Sequence, residues 1–271
     1  MANKDSQSIM QTATQELTKR ALLGFFAHPG TLDEYLALTK RSVEQSQPKT
    51  VLYHNLHSLY SYFTDDTLRE HYQNTTVLVD GMPVIWLMQL LRIPVSQGHR
   101  ITYVDFIMPL MEMARDNDWT VFHVGQQSAV QHDALNTIRR ELPGINIVGH
   151  DGYFDQSPQS AESLAVIEQI NDAGSDIVLV GFGAPKQEAW IHAHRNQINA
   201  GIVFSCGACM EYVAGAVKTP PRWMGRMGLE WSFRLLENPR RFAFRYLVEP
   251  VLLGGILLCN GISNLVREKR A

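Results

Sequence analysis

The sequence predicts an α/β fold, in which a mostly parallel, Rossmann-like sheet carries helices on both faces and a helical appendage follows at the C-terminus. Two observations carry this prediction. Short apolar runs alternate with amphipathic stretches between residues 32 and 205, as in strand–helix–strand units. From residue 222 onward the chain instead becomes basic and largely apolar. We therefore expect a polar N-terminal arm at residues 1–20, an α/β domain at residues 21–221 and an appendage at residues 222–271.

Each element is predicted from its local pattern. Residues 1–20 are rich in Gln, Ser and Thr without an apolar period, which indicates a loose or weakly helical arm. Short apolar runs predict the strands, which are Val51–His54, Thr76–Asp80, Thr120–Gly125, Ile145–Gly149, Ile177–Gly181 and Ile202–Ser205. Apolar residues at helical spacing predict the helices between them, which are Leu32–Val43, Met82–Leu91, Asp105–Asp116, Ala129–Leu142, Ala161–Asn171 and Gln187–Asn196.

The composition is that of an ordinary globular protein. With 271 residues, 45% of them hydrophobic and 19% charged, the chain is long enough to bury one substantial core. Three cysteines and no secretory signal indicate a reducing cytosol rather than a disulfide framework. Cys206 and Cys209 have the spacing of half a zinc or redox site, but no second pair accompanies them, and we expect neither chemistry.

The net charge of −3 conceals two regions of opposite sign. Residues 222–271 contain nine Lys and Arg and four Asp and Glu, a net charge of +5, which leaves 15 and 23, a net charge of −8, for residues 1–221. The basic residues of the appendage are interleaved with a long apolar run rather than with polar residues. This pattern is typical of a segment that meets an anionic membrane surface, and we expect no nucleic acid as a partner.

The apolar run in the appendage, Val251–Leu258 with Ile262, is about a dozen residues long and contains Gly254 and Gly255. Since a helix needs about 20 apolar residues to span a bilayer, we expect this run to lie on the membrane rather than cross it. Basic residues flank it on both sides, which are Arg240, Arg241, Arg245, Arg267, Lys269 and Arg270. The alternative is that the run packs on the core or on another subunit.

Polar residues and glycines follow the predicted strands, at the edge of a parallel sheet where ligands bind. Asn55 follows the first strand, and Asp80 precedes Gly81 at the end of the second. A carboxylate in that position is well placed to act as a general base. His123 and His150 also lie near strand ends, but a single histidine without partners is more often a hydrogen-bonded structural residue.

The segment Asp176–Ile191 is the most informative local pattern. A buried strand, Ile177–Val180, runs directly into a turn in which Gly181 and Gly183 let the backbone bend and approach a ligand. Pro185 is predicted to be the first residue of the following helix. The free amides of a helix N-terminus attract anions, so the pattern favours a site for phosphate or sugar, with a purely structural turn as the alternative.

The first turn of this helix is predicted to contain Lys186, Gln187 and Glu188. A dinucleotide fingerprint would require a third glycine where the chain has Lys186. The sequence therefore disfavours a nucleotide-dependent oxidoreductase.

No metal site is expected. The Asp-x-Asp pattern Asp116-Asn117-Asp118 ends a predicted helix, where a solvated turn is the more frequent structure. No other carboxylate pair of this kind follows a predicted strand.

Four longer segments occur together and in a distinctive order. They are VDGMPVIWLMQLL at 79–91, GHDGYF at 149–154, GFGAPKQEAWI at 181–191 and the stretch that contains GLEW, RL, RR and RY at 214–247. In order and spacing these segments resemble the bacterial WecG/TagA/CpsF family, glycosyltransferase family 26, across roughly residues 20–250.

The resemblance implies inverting transfer of a sugar from a UDP-sugar donor to a polyprenyl-diphosphate-linked sugar during surface polysaccharide biosynthesis. The sugar expected is of the N-acetylmannosamine type, N-acetylmannosaminuronic acid or glucose. The resemblance also implies that no metal or other cofactor is needed, and that the enzyme is peripheral at the cytoplasmic face of the inner membrane. A homo-oligomer is among the assemblies that it allows.

The resemblance assigns roles by position. Asp80 matches the family's catalytic base, Asn55 its polar partner and Gln187 a contact to the donor. The other positions expected to bind donor or substrate are Arg100, Asp105, Tyr153, Gly181, Gly183, Lys186 and Glu211. Arginines of the appendage are expected to reach toward the diphosphates, and these are Arg234, Arg241 and Arg245.

The chain departs from the family's pattern at four places around the expected pocket, namely Tyr53, Tyr103, Met210-Glu211 and the stretch that begins at Thr219. These differences bear on which sugar is accepted and on whether turnover survives. The alternative function is therefore a non-catalytic protein with the same fold that binds a polyprenyl-diphosphate-linked sugar.

Overall fold

Six parallel strands form the central sheet of the protein in a computed structural model. The structure describes residues 16–268, apart from the side chains of 222, 226 and 263–268. The strand order is β4-β3-β8-β7-β5-β6. The strands are β3 Lys49–His54, β4 Thr76–Val79, β5 Thr120–Gly125, β6 Asn146–His150, β7 Ile177–Gly181 and β8 Ile202–Ser205. Every pair in this sheet is parallel, so the predicted α/β class is confirmed.

A small antiparallel hairpin, β1 Arg20–Leu22 and β2 Phe25–Ala27, precedes the sheet. The sequence did not predict it, because three residues are too few to show an apolar period. Its first strand begins at Arg20, the last residue of the predicted arm, and residues 1–15 of that arm lie outside the described residues.

The described helices fall largely where the sequence predicts them, with short additions. In chain order they are α1 Leu32–Glu44, α2 Leu56–Thr64, α3 Asp66–His71, α4 Met82–Leu90, α5 Tyr103–Asp116, α6 Ser128–Glu141, α7 Ala161–Asp172, α8 Lys186–His194, α9 Cys209–Val213, α10 Arg222–Arg226, α11 Glu230–Glu237, α12 Pro239–Ala243 and α13 Glu249–Glu268. The helices α2, α3 and α9 were not predicted. Each has nine residues or fewer, so its apolar period is weak.

Alternate residues of each strand face opposite layers of helices, which is why both faces are buried. In β7, Ile177 and Leu179 pack with α1, α5 and α6 on one face. Val178 and Val180 pack with α2, α4, α7 and α8 on the other. All four side chains are fully buried, as expected for a central parallel strand.

The appendage ends in one long helix, which extends well beyond the apolar run Val251–Leu258. The helix runs through α12, a π-helical turn at Phe244–Val248 and α13. Its stretch Pro239–Ile262 has 24 residues, and an 18-residue window within it has a mean hydropathy of 1.7, with 11% of that window buried. By length and composition alone this helix is long and apolar enough to cross a membrane, although the apolar run within it has only about a dozen residues. The reason is that the helix continues through residues before the apolar run.

One side of this helix packs on the α/β domain. Leu253 is 1% exposed and lies in the core that α2 also contributes to. Glu249 Oε2 lies 2.8 Å from His57 Nδ1, and Asn260 Nδ2 donates a 3.0 Å hydrogen bond to the carbonyl oxygen of Leu23 in the hairpin. The prediction that the run packs on the core therefore holds for this side of the helix.

The other side of the helix is exposed and apolar. Its members recur at steps of three, four or seven residues, so they form one stripe. This apolar stripe consists of Phe244, Leu247, Val248, Val251, Leu252, Leu258 and Ile262. Among the expected flanking basic residues, Lys269 and Arg270 lie outside the described residues, as does the side chain of Arg267.

Candidate functional site

Asp80 and Asn55 meet at the carboxyl edge of the sheet. They follow β4 and β3, which pair in parallel with His54 opposite Val79. Asn55 is the N-cap of α2, where its Oδ1 accepts a hydrogen bond from Ser58 N at 3.1 Å. The cap fixes the orientation of the amide, so Nδ2 points to Asp80 Oδ2 at 3.3 Å. The two residues expected to act together are therefore in contact.

The electrostatic surroundings of Asp80 suit a base. Burial raises the pKa of its carboxyl from 3.8 to about 6, although the charge of Arg234 and the hydrogen bond from Asn55 oppose the rise. Glu230 raises this pKa and Arg100 lowers it. A carboxylate with a pKa near 6 is ionised at neutral pH and a stronger base than a solvated aspartate.

We expect catalytic activity to follow the ionisation of Asp80. A base works only when deprotonated, so kcat/KM should rise with pH through about 6, the pKa of Asp80, and then level off. Below that value kcat/KM should fall about tenfold per pH unit, as for a single essential ionisation. The measurement is kcat/KM between pH 4.5 and 8.5, and a profile that stays flat from pH 5 to 7 would contradict the role.

Arg100 connects the α/β domain to the appendage. Its guanidinium lies 3.2 Å from Glu230 Oε2 and 3.9 Å from Asp105 Oδ2. Asp105 also accepts a 2.8 Å hydrogen bond from the hydroxyl of Thr102. Arg100 and Asp105, which were both expected in the pocket, are thus paired. Sequence reasoning missed Glu230, although it lies in the quoted GLEW segment.

Two arginines of the appendage approach the same region. Arg234 lies over the ring of Tyr212 at 5.6 Å, and its charge acts on Asp80. Burial lowers the pKa of this guanidinium, but Tyr212, Tyr246 and Asp80 raise it, and the net shift is upward. Arg234 therefore remains a cation at any working pH.

Arg245 is the second cation, and it lies in the π-helical turn. Its charge opposes the burial that raises the pKa of Tyr53, and it adds to the burial that lowers the pKa of His57. The Nε atoms of Arg234 and Arg245 are both buried without a hydrogen-bond partner among the described residues. Buried guanidinium donors without partners suit an anionic ligand with several oxygens.

Arg241 does not join this pair, which corrects the expectation of three converging arginines. Its side chain is exposed and lies over the ring of Phe242 at 5.3 Å. Its backbone amide is held by the N-cap residue Asn238. Arg241 thus faces outward from α12, away from the region of Arg234 and Arg245.

The turn after β7 forms largely as predicted, except that the following helix begins one residue later than expected. Gly181 ends the strand, and Gly183 adopts a φ of 83°, in the left-handed region that favours glycine. A Cβ atom at Gly183 would meet nothing within 4 Å, so the turn faces open space. Pro185 is the N-cap rather than the first helical residue, and the exposed Lys186 begins α8.

Gln187 is fully buried and bonds to the turns around it, while its expected contact with the donor stays a prediction. Its Oε1 accepts hydrogen bonds from Gly183 N at 3.2 Å and Gly207 N at 3.0 Å. Its Nε2 donates to Glu188 Oε1 at 2.8 Å and contacts the Tyr53 hydroxyl at 3.4 Å. The second position of α8 points back toward the sheet, so Gln187 holds the turns after β7 and β8 together.

Tyr153 and Glu211 lie elsewhere along the carboxyl edge. Tyr153, in the loop after β6, is 72% exposed, and its hydroxyl accepts a 3.3 Å hydrogen bond from Gln127 Nε2. Since β6 and β4 are at opposite ends of the sheet, Tyr153 marks the end of the edge away from Asp80. Glu211 is half-buried in α9, beside Tyr212.

Two of the departures from the family's pattern, Tyr53 and Tyr103, lie near Asp80. Tyr53 and Tyr103 are both buried and pack edge to face, with their ring centroids 5.9 Å apart. The Tyr103 hydroxyl has no hydrogen-bond partner within the described part of the chain. Thr219 is exposed, in the segment that leads to α10.

The two histidines near strand ends are not competing bases. His123 is fully buried, and burial lowers its pKa to about 3, so it is neutral at physiological pH. His150 Nδ1 lies 2.8 Å from the carbonyl oxygen of Asp151. Neither residue contacts Asp80.

Metal-binding patterns are weak in the described residues 16–268, where no group of three or more His, Cys, Asp or Glu is placed to hold an ion. Cys206 and Cys209 are buried free thiols. Asp116 pairs with Arg115 at 2.8 Å, and Asp118 is exposed before the start of β5.

The opposite, amino edge of the sheet borders a cavity of about 880 Å³, which Asp80 does not line.

Comparisons with known proteins identify the family of the chain. The model of the glycosyl transferase WecG/TagA/CpsF family matches residues 20–265. The chain is 27% identical over 217 residues to the N-acetylglucosaminyldiphosphoundecaprenol N-acetyl-beta-D-mannosaminyltransferase of Staphylococcus aureus strain MW2, covering 80% of this chain and 77% of the relative. The same values hold for the enzyme of strain NCTC 8325 / PS 47. The chain belongs to the glycosyl transferase WecG/TagA/CpsF family.

Proposed function

We propose that the protein is an inverting glycosyltransferase that moves a sugar from a UDP-sugar to a polyprenyl-diphosphate-linked sugar. The observation that carries this proposal is the position of Asp80, a carboxyl with a pKa of about 6 on which the charge of Arg234 in the appendage acts. The relatives are named as enzymes that act on a sugar attached to diphosphoundecaprenol.

In the proposed reaction Asp80 accepts the proton of the acceptor hydroxyl. The acceptor oxygen then bonds to the anomeric carbon of the donor sugar on the face opposite the UDP group. The bond from that carbon to the diphosphate oxygen breaks, and UDP leaves with both electrons. Arg234 and Arg245 stabilise the negative charge of the diphosphate through their free N–H groups.

We further propose an N-acetylmannosamine-type sugar as the donor and an N-acetylglucosamine unit as the acceptor sugar. The names of the relatives support this pair. N-acetylmannosaminuronic acid and glucose are the next candidates to test. The buried rings of Tyr53 and Tyr103 beside Asp80 are the features that would distinguish these donors by size and polarity.

The direct test is UDP release from purified protein. The protein is incubated with each UDP-sugar and a short-chain polyprenyl-diphosphate N-acetylglucosamine, and the glycosylated lipid is identified by mass spectrometry. The proposed enzyme releases UDP only when donor and acceptor are both present. Binding of the lipid-linked sugar without UDP release from any donor would instead support the non-catalytic alternative.

Chelation is expected to leave the reaction rate unchanged. The unpaired guanidinium groups of Arg234 and Arg245 support this expectation, since in the proposed reaction they neutralise the diphosphate, the role that a divalent cation fills in other transferases. The measurement is UDP release before and after dialysis against EDTA, with Mg²⁺ and Mn²⁺ added back. Loss of activity that either ion restores would overturn the proposed metal independence.

We also propose that the appendage holds the protein on the cytoplasmic face of the membrane. The apolar stripe supplies the hydrophobic contact, and exposed basic residues such as Arg240 adjoin it. Leu253 and Asn260 keep the opposite side of the helix attached to the α/β domain, which supports a helix that lies on the bilayer.

Substituting Val251 and Leu258 with glutamate should weaken binding to anionic vesicles at least tenfold. These residues are 73% and 69% exposed, and each apolar side chain contributes about 1.5–3 kcal/mol when it enters the bilayer interface. The measurement is co-sedimentation with vesicles of known anionic lipid content. The control is Leu164→Glu, an exposed leucine of α7 outside the stripe. Equal vesicle binding by all the variants would exclude the stripe as the membrane contact.

A further inference from the structure

Glu188 is a buried carboxylic acid with no role in the proposed chemistry. It is 1% exposed, in the first turn of α8, next to Gln187. Its Oε1 accepts the 2.8 Å hydrogen bond from Gln187 Nε2. Its Oε2 has no hydrogen-bond partner among the described residues. Because burying a carboxyl group is costly, its position calls for a physical explanation.

Gln187 provides that explanation, since its amide joins two turns of the carboxyl edge. Its Oε1 accepts from the backbone amides of Gly183, after β7, and Gly207, after β8. Reversing the amide would place an NH₂ group against both N–H donors. Two buried hydrogen bonds would then be lost, and the backbone donors left unpaired would destabilise this orientation.

Glu188 adds to the preference for the observed orientation. Its carboxyl oxygen accepts from Gln187 Nε2 while the two glycine amides donate to Gln187 Oε1, and the ionised form cannot donate to Oε1 at all. Without Glu188, the NH₂ group would keep only the 3.4 Å contact with the Tyr53 hydroxyl. The Gln187 amide would then be held mainly by the two hydrogen bonds that its Oε1 accepts.

Glu188 need not be charged for this purpose. Burial raises the pKa of its carboxyl to about 7, while the hydrogen bond from Gln187 lowers it. The ionised and protonated forms both retain an oxygen that accepts from Nε2. A glutamine in its place would offer such an oxygen as well, whereas a leucine of similar volume would not.

We propose that Glu188 is a positioning residue that acts through Gln187 to hold the turns at Gly183 and Gly207 in the shape that receives the donor diphosphate. The role rests on the proposed function. The turn at Gly183 is the part of this network that meets open space, at the N-terminus of α8, where an anion is favoured.

The test is a double-mutant cycle read on UDP affinity, measured by calorimetry, with donor KM and kcat as a second readout. Glu188→Leu should raise the Kd for UDP and the donor KM about tenfold, with a smaller effect on kcat. Glu188→Gln should recover most of that loss. In a Gln187→Leu background, adding Glu188→Leu should change the Kd less than about twofold, because residues that act as one unit are not additive.

The control is Trp190→Phe, which removes a different buried hydrogen bond of the same helix, the 3.1 Å bond from Trp190 Nε1 to Ser163 Oγ. It should lower the Tm without changing the Kd for UDP. A Kd that depends on the Tm alone, across all these variants, would show that Glu188 only stabilises the fold.

Three results would overturn the positioning role. They are equal losses in Glu188→Leu and Glu188→Gln, additive effects in the cycle, or an unchanged Kd for UDP in Gln187→Leu. The last measurement decides the question even if Glu188→Leu does not fold. A parent protein that binds no UDP would overturn the proposed donor and this role together, whereas normal binding in every variant would overturn the role of Glu188 alone.

Discussion

Replacement of Asp80 by asparagine should lower kcat at least ~10²-fold while the protein stays folded, as expected when a general base is removed. Asparagine has nearly the same shape, and its Oδ1 still accepts the hydrogen bond from Asn55. It has no basicity, so the acceptor hydroxyl keeps its proton. The measurement is UDP release at saturating donor and acceptor, at pH 8.

The same variant should keep its affinity for UDP and lose none of its stability. Burial raises the pKa of Asp80 above its value of 3.8 in the unfolded chain, so the ionised carboxylate destabilises the fold. That cost grows as the pH rises from 3.8 to about 6 and is fully present above it. The neutral amide of the Asp80→Asn variant carries no such cost, and its Tm at pH 8 should be equal to that of the parent or higher.

The matched control for Asp80→Asn is Asp118→Asn, an exposed position beyond the opposite edge of the sheet. It should retain the parent turnover. If Asp80→Asn retains turnover within a few fold of the parent while the control behaves as expected, Asp80 is not the base.

Replacement of Arg234 by glutamine should lower turnover about 10²-fold, the typical cost of removing one group that stabilises charge in the transition state. Arg234→Lys should recover only part of the loss, since an ammonium group lacks the planar fork that meets two phosphate oxygens. The measurement is kcat and donor KM for both variants on a water-soluble acceptor.

Arg234→Gln carries a second, independent signature. The charge of Arg234 lowers the pKa of Asp80, so its removal should move the acidic limb of the kcat/KM profile to higher pH. A general loss of structure would reduce activity at every pH without moving that limb.

The structure and the sequence pattern lead to different expectations for the turnover of the Arg241→Gln variant. The pattern alone places Arg241 with Arg234 and Arg245, and would predict comparable losses. In the structure Arg241 is exposed on α12, so its substitution should change turnover on the same soluble acceptor less than about threefold. Equal losses of turnover in Arg234→Gln and Arg241→Gln would show that the active enzyme does not have this arrangement of the appendage.

The sequence by itself determined the sheet and the position of Asp80 at its carboxyl edge. Buried parallel strands are continuous apolar runs, and residues directly after them must lie at the carboxyl edge. Asp80 and Asn55 could therefore be placed together, because both follow such runs and their strands are neighbours along the chain. The family could also be recognised from the sequence, since the four segments occur in the order that is typical of the family.

Only the tertiary structure decided which way the remaining side chains face. Gln187 and Arg241 both carry groups that bind anions well, yet one points into the sheet and the other into solvent. A helix of five or nine residues has too few turns for its pattern to specify a buried face. The contact between Arg100 and Glu230 joins parts of the chain 130 residues apart, and no local pattern encodes such a pairing. The shape of the site thus depends on how the appendage packs against the strand ends, which is set by the free energy of burial over the whole fold.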